Sequence, residues 1–242
     1  MAPPPSSQPN RGPSSRPQGK KSPTAKKSIW LKLLTILGVL LPVYYLLEAN
    51  LHRFYVFDVD ELHGLTKRAV ATYGNDTRAM ADFIVRELDG QAGLSTYINR
   101  DEDWMFNNAG GAMGAMYIIH ASITEYLIIF GSAIGTEGHS GRHTSDDYFY
   151  ILSGVEMAYV PGQYEPEIYP PGSVHHLHRG HVKQYRMPEK CFALEYARGW
   201  IPPMLFFGFA DFFTSTLDFP TLGKTVWITG REMLGNLARG KF

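Results

Sequence analysis

The apolar positions divide the chain into a polar start, one long apolar run and a mixed remainder. Residues 1–28 are mostly Pro, Ser, Gly, Gln, Lys and Arg, a composition that predicts a disordered basic leader. Residues 29–47 are apolar except for Lys32 and Thr35, a run long enough to cross a bilayer as a helix. Because the leader is long and polar and no small-x-small site follows the run, we predict an uncleaved transmembrane signal anchor rather than a cleaved signal peptide.

Basic residues around this run predict its direction in the membrane. Four lysines lie at positions 20, 21, 26 and 27, whereas only His52 and Arg53 closely follow the run. The positive-inside rule therefore predicts a single-pass protein with a cytosolic N-terminus and the rest of the chain across the membrane. In that compartment Asn75-Asp76-Thr77 would be a usable glycosylation acceptor.

Helical patterns follow over residues 54–100. Asp58 to Glu61 resembles a capping box that opens a helix through about Tyr73, and Asn75 or Asp76 caps a second helix that ends at Asp89-Gly90. We therefore predict that residues 54–100 form a helical segment.

Residues 101–199 carry short β-like runs separated by Gly and Pro turns, which predicts a small antiparallel barrel or sandwich. The Gly-rich stretch 104–114 suits a strand or bend. Residues 120–130 suit either a helix or a buried strand, and their polar residues slightly favour a helix. The clearest strand-like runs are 148–152, 156–160, 167–169, 181–186 and 192–196.

Residues 200–242 are rich in phenylalanine but interrupted by Pro202-Pro203, Asp211 and Asp218, so a second membrane span is not predicted. We expect helices that lie on the membrane surface or cover the open end of the barrel. Ordinary core helices are the alternative.

Composition and charge exclude several classes of protein. The formal net charge is zero and the basic residues beyond the leader alternate with acids, so no nucleic-acid partner is expected. A single cysteine, Cys191, excludes an internal disulfide framework. The sequence contains no dinucleotide- or phosphate-binding motif, and we expect no cofactor.

Glu195 is a candidate functional residue because of its neighbours on the strand. Alternation places Phe192, Leu194 and Tyr196 on one face, while Glu195 shares the other face with small residues (Cys191, Ala193 and Ala197). A carboxylate among small side chains suggests the wall of a cavity, since an unpaired buried carboxylate is costly. The alternative is an exposed edge strand.

Asp146 and Asp147 open another predicted strand and point to opposite faces, Asp147 with Phe149 and Ile151. Two carboxylates that meet in an apolar barrel cannot both ionise easily, so one pKa should be strongly raised. Such a pair offers one proton donor and one anion in the same pocket, which suits proton transfer to and from a hydrocarbon.

The histidines allow a metal alternative. Pro170 to His175 fits a turn found in cupin barrels, and His176 and His178 share one strand face. Three imidazoles, or two with a carboxylate, would suit Zn²⁺ or Fe²⁺. His139 and His143 are spaced differently from the usual first cupin motif, so we expect a barrel without a metal.

Three blocks resemble the family of fungal sterol C8 isomerases and animal sigma receptors. They are N-N-A-G-G-x-M-G at 107–114, G-H-x-G at 138–141 and FALEYARGWIP at 192–202. The resemblance extends from about Phe54 to the C-terminus. It implies a cupin-like antiparallel β-barrel behind one membrane anchor in the endoplasmic reticulum, membrane-facing C-terminal helices and homo-oligomers, and hence an α+β fold class.

The resemblance also implies site residues. The receptor glutamate that binds cationic ligands matches Glu195, and the tyrosine that supports it matches Tyr126. The second receptor acid aligns with Phe149, where this sequence departs from the pattern. Strand parity offers Asp147 as its replacement, on the same face as Phe149, with Asp146 turned away.

The implied function is isomerisation of a Δ8-sterol, such as fecosterol, to a Δ7-sterol in ergosterol synthesis. We expect Glu195, Asp147 and Asp146 to be catalytic and sterol access to lie between the helices around 206–213. The residues expected to hold the sterol are Met113, Tyr126, Phe149, Ile151, Leu177, Ala193 and Ala197. A sigma-like binding protein without enzymatic activity and a metal-dependent cupin enzyme are the alternatives.

Overall fold

The computed structural model describes residues 23–242, with side chains from residue 29 onward, and consists of two compact units that divide after Ala49. The first unit contains one helix, α1 (Pro23–Ala49), and its segment Ile29–Ala49 is long and apolar enough to cross a membrane. The prediction for residues 1–22 lies outside the described residues. Residues 23–28, predicted to be disordered, instead form the first turns of α1, because the helix extends beyond its apolar part.

Two helices begin the second unit, as the capping signals predict. In α2 (Val59–Tyr73), the Asp58 side chain accepts hydrogen bonds from the backbone N–H groups of Asp60 and Glu61. In α3 (Thr77–Gly90), Asp76 caps in the same way through the N–H of Ala79. Both helices bury their apolar faces.

Ten antiparallel strands follow and form two sheets. The larger sheet has the order β1-β2-β3-β10-β5-β8 and the smaller one β4-β9-β6-β7. The strands are β1 (Met105–Ala109), β2 (Ala112–Ala121), β3 (Glu125–Ser132), β4 (Thr136–His139), β5 (Ser145–Ser153), β6 (Glu156–Tyr159), β7 (Glu167–Tyr169), β8 (Val174–Leu177), β9 (Gln184–Met187) and β10 (Cys191–Gly199). The closed barrel expected from the sequence is not formed: among the described residues no strand ladder joins the two sheets.

The helix favoured for residues 120–130 is wrong, because this segment ends β2 and begins β3. Both faces of β3 are buried, so the polar residues taken for a helix surface, Thr124 and Glu125, are interior as well. A strand buried on both faces lacks the alternation that identifies half-exposed strands.

The six-stranded sheet separates two clusters of apolar side chains. Leu194, Tyr196 and their neighbours face α2 and α3, whereas Ala193, Ala197 and Phe149 face the other sheet. Successive residues of β10 therefore alternate between a packed helical core and the space between the sheets. This alternation determines which side chains can reach a ligand.

The chain ends in α4 (Ile201–Asp211), a π-helical turn (Phe212–Thr216) and α5 (Phe219–Ala238). The helices predicted for residues 200–242 are therefore present. Their large apolar side chains are extensively exposed, among them Phe206, Phe213, Leu217, Trp227 and Leu234.

Candidate active site

Strand pairing brings Glu195 and Asp147 to the same face of the larger sheet. Glu195 is opposite Phe149 of β5 and Ile128 of β3, and the next inward-facing residue of β10, Ala197, is opposite Asp147. The two acids therefore occupy adjacent rows of neighbouring strands, within reach of each other. This is the shared face that strand parity predicts.

Both acids line a cavity between the sheets that is covered by α4. Its space measures about 990 Å³ with the open mouth included. The wall is largely apolar, with polar groups concentrated around the two acids. Its lining includes Ala109, Met116, Tyr126, Ile128, Phe130, His143, Asp147, Phe149, Glu156, His175, Leu177, Tyr185, Glu195, Met204, Leu205, Phe207 and Phe209.

The carboxyl groups of Asp147 and Glu195 form a hydrogen-bonded pair with shifted pKa values. Burial and the adjacent Asp147 charge raise the pKa of Glu195 well above its usual range. Burial also raises the pKa of Asp147 to about 7, although the charge of His175 opposes that rise. Two acids in one apolar site cannot both ionise easily, and Glu195 is the better proton holder.

Asp147 retains a free position on its carboxylate. Among the described residues its Oδ1 atom has no hydrogen-bond partner, and its Oδ2 atom lies 3.8 Å from Nδ1 of His143. Burial lowers the pKa of His143 to about 4, so this imidazole is neutral near pH 7. The Asp147–Glu195 pair can thus supply one proton and one anion to an apolar ligand.

A second buried pair, not expected from the sequence, lies in the same cavity. Nδ1 of His175 lies 3.0 Å from both carboxylate oxygens of Glu156. Glu156 comes from the smaller sheet and His175 from the larger one, so no local pattern links them. Tyr185 of the smaller sheet also lines the cavity and was likewise missed.

Asp146 is on the outer face, away from the cavity. Its Oδ1 atom lies 3.1 Å from Nε2 of His176 and accepts a hydrogen bond from the backbone N–H of Arg179 at 3.2 Å. The catalytic role expected for Asp146 is therefore not supported by its position, because adjacent residues of a strand point to opposite sides.

The histidines considered as metal ligands are divided between these two faces. His175 points into the cavity, whereas His176 and His178 lie outside with Asp146, their ligand atoms within 4.8 Å of one another. These three histidines therefore do not come together as the ligands of a cupin-type metal site inside the cavity. Any ion at the outer cluster would be remote from the lining of the cavity.

The residues expected to hold a ligand fall into three groups. Tyr126, Phe149 and Leu177 line the cavity. Ile151, Ala193 and Ala197 are buried in the core around it rather than in its lining. The expectation for Met113 is wrong: this residue is 46% exposed, because alternate residues of β2 point to opposite faces and Met113 is on the outward one, whereas Met116 lines the cavity.

Tyr126 connects the cavity wall to the last helix. Its hydroxyl lies 3.2 Å from Oγ1 of Thr229 in α5, its ring lines the cavity, and burial raises the pKa of the hydroxyl. The tyrosine expected to support Glu195 therefore contacts α5 through its hydroxyl.

Known proteins with similar sequences span nearly the whole chain. A C-8 sterol isomerase of Neurospora crassa is 70% identical over 214 residues, 88% of this chain and 84% of that protein. The C-8 sterol isomerase erg2 of Aspergillus fumigatus is 66% identical over 87% of each chain. Sigma non-opioid intracellular receptor 1 of Xenopus tropicalis is 36% identical over 86% of this chain and 94% of that protein.

Among solved structures, an RmlC-like cupin from Shewanella frigidimarina is similar over 44% of this chain and 94% of that one, with 14% identity and a TM-score of 0.36. The family described as "ERG2 and Sigma1 receptor like protein" matches residues 34–241. The chain therefore belongs to the family of ERG2 and sigma-1 receptor-like proteins.

Proposed function

We propose that this protein is a C-8 sterol isomerase of ergosterol biosynthesis, which moves a B-ring double bond from Δ8 to Δ7. The relatives named C-8 sterol isomerase are 66–70% identical over most of the chain, whereas the sigma receptor is more distant. The observation that carries the proposal is the hydrogen-bonded Asp147–Glu195 pair in a largely apolar cavity.

The reaction can proceed by proton transfer alone. Glu195 donates its proton to C9, the electrons of the C8–C9 double bond form the new C–H bond, and a cation develops at C8. Asp147 stabilises that cation as a carboxylate, because a fixed anion in a dry site interacts strongly with developing positive charge.

The second half of the reaction restores the enzyme. Asp147 takes the proton from C7, and the electrons of the broken C–H bond form the C7–C8 double bond. The hydrogen bond between the two acids then returns the proton to Glu195, so no proton is consumed over the cycle. We assign the donor role to Glu195 because burial and the adjacent Asp147 charge raise its pKa well above the usual range.

The exposed apolar side chains of α4 and α5 support contact with a membrane. Phe206 is 79% exposed and Trp227 is 69% exposed. Exposing so many neighbouring apolar side chains to water would cost free energy. α4 also covers the cavity, so a sterol would pass from the bilayer beside Phe207 and Phe209.

We place the domain on the lumenal side of the endoplasmic reticulum membrane, in line with the lysines that precede the apolar run. Asn75, in the exposed turn between α2 and α3, offers a test of this orientation. Glycosidase should increase the mobility of the wild type but not of Asn75→Gln. Protease cleavage of the domain in sealed microsomes would contradict this orientation. Homo-oligomer formation stays a prediction from the family resemblance.

Complementation tests the isomerase activity. Expression in yeast that lacks its own sterol isomerase should convert accumulated Δ8-sterols to Δ7-sterols, measured by mass spectrometry, and Glu195→Gln is the matched inactive control. Well-expressed wild-type protein that leaves the Δ8-sterols unchanged would refute the proposal. Retained amine binding in that case would favour the sigma-like binding protein.

A further inference from the structure

The Glu156–His175 pair lies at the closed end of the cavity. These two side chains are only 3% and 4% exposed, whereas His139 at the other end is exposed and Phe207 and Phe209 of α4 are half-buried. The cavity therefore opens beside α4 and ends against the smaller sheet, from which Glu156 projects.

The His175 ring is held from two directions, and one of its nitrogens remains available. Glu156 binds Nδ1, and the ring of Tyr169 stacks on the imidazole at a centroid distance of 4.5 Å and an angle of 15°. Among the described residues, Nε2 has no hydrogen-bond partner although it is buried. A buried polar atom without a partner is destabilising, and a polar group of a ligand would offset that cost.

The proposed substrate has one polar group that could be this partner. A sterol is a hydrocarbon except for its 3-hydroxyl, and a hydroxyl can both donate and accept a hydrogen bond. It therefore suits Nε2 in either tautomer of His175. We propose that His175, oriented by Glu156, binds the 3-hydroxyl of the sterol at the closed end of the cavity. This inference rests on the proposed isomerase function.

The strand register agrees with this orientation of the sterol. His175 is opposite Phe149, and Asp147 occupies the adjacent inward-facing row of β5, diagonal to His175. The hydroxyl is on ring A and the reacting double bond is in the fused ring B. A hydroxyl at His175 thus directs ring B toward Asp147 and Glu195, and the apolar tail toward the mouth beside α4.

His143 is the other cavity histidine with unpartnered nitrogens among the described residues. Its ring packs against Phe207 of α4 at 5.6 Å, and its Nδ1 lies 3.8 Å from Asp147. It is therefore beside the reacting acids and on the mouth side. Because His143 lies in the same cavity as His175 but on the mouth side, it is the control residue for the test.

Two substrates test the proposal: a 3-hydroxy Δ8-sterol and its 3-deoxy analogue, with conversion by purified protein in detergent followed by mass spectrometry. The wild type should prefer the hydroxy compound by at least about tenfold in kcat/KM, because the analogue leaves Nε2 unpaired. In a His175→Phe/Glu156→Met double variant, which removes both polar partners together, the preference should fall to within about twofold.

The control variants are His176→Gln on the outer face and His143→Phe beside the acids, and both should retain the preference for the hydroxy compound. A wild type that converts both sterols equally would overturn the inference, as would loss of the preference in His143→Phe alone. A wild type that converts neither sterol would instead refute the proposed function. Equal conversion of both sterols by the wild type overturns the inference even if the double variant does not fold.

Discussion

Glu125 and Glu195 are both interior glutamates, on neighbouring strands, yet their surroundings are opposite in kind. Glu125 is fully buried and accepts hydrogen bonds from the backbone N–H groups of Val56 and Phe57 and, at 2.6 Å, from the Tyr196 hydroxyl. Nζ of Lys241 lies 2.7 Å from its carboxylate. Glu195 instead faces another acid in a cavity.

The difference separates a carboxyl group that stabilises the fold from a carboxyl group that can take part in a reaction. The partners of Glu125 are hydrogen-bond donors and one lysine, and together they join the start of the domain, the sheet and Lys241. The partner of Glu195 disfavours ionisation, so its proton is retained near neutral pH and can be given to a ligand. Burial alone therefore does not identify a functional carboxylate; the partner does.

The largest expected effect is on activity at the cavity acids. Glu195→Gln and Asp147→Asn should lower the rate of Δ8-to-Δ7 conversion by ~10²- to 10⁴-fold, since an amide cannot exchange the proton. Circular dichroism should show an unchanged fold. Asp146→Asn, on the outer face of the same strand, is the matched control and should retain most activity; the reverse ranking would mean that the inward face is assigned incorrectly.

Lys241→Met should act on stability instead. Removing one member of a buried ion pair leaves the other uncompensated, so the free energy of unfolding should fall by about 3–5 kcal/mol. Denaturant unfolding in detergent measures the loss, and Glu87→Gln, from the exposed Arg68–Glu87 pair, should have little effect. A Lys241→Met protein of wild-type stability would show that the Glu125 network does not hold the C-terminus.

Amine ligands sharpen the comparison at the cavity. A protonated amine on a sterol-sized frame mimics the cation at C8 and should bind through the acid pair. The Asp147→Asn/Glu195→Gln double variant should weaken that binding on the order of 10²- to 10³-fold, because the ammonium would be buried without an anion. A neutral isostere of the same shape is the control; equal losses for both would indicate a damaged cavity rather than a lost charge.

The smallest expected effect, counted per pH unit, is a pH dependence of stability. The pKa of Asp147 is about 7 in the folded protein against 3.8 ordinarily, so between these values the folded state holds a proton that the unfolded chain has released. Stability contributed by this proton is present below about pH 4 and is lost as pH rises toward 7, by at most ~1.4 kcal/mol per pH unit for one group. The free energy of unfolding of the wild type, minus that of the Asp147→Asn/Glu195→Gln double variant, should decline as pH rises across this range. A difference that stays constant would contradict the raised pKa.

Much of the secondary structure could be predicted from local patterns. Asp58 and Asp76 cap their helices as expected, because a cap depends on residues within one turn. The apolar run 29–47 forms part of α1, since its length and composition suffice to define a helix. Parity along β5 and β10 predicted that Asp147 shares a face with Phe149 and that Glu195 faces away from Leu194, because alternation is a property of the strand itself.

Only the tertiary structure decided which side chains meet across the molecule. The pairing of Glu156 with His175 joins two sheets, and that of Glu125 with Lys241 joins residues more than a hundred positions apart, so neither leaves a periodic signal. The same reason explains the error at residues 120–130, where burial on both faces removed the strand alternation. Local geometry thus determined which way each side chain points, and long-range packing determined what it meets there.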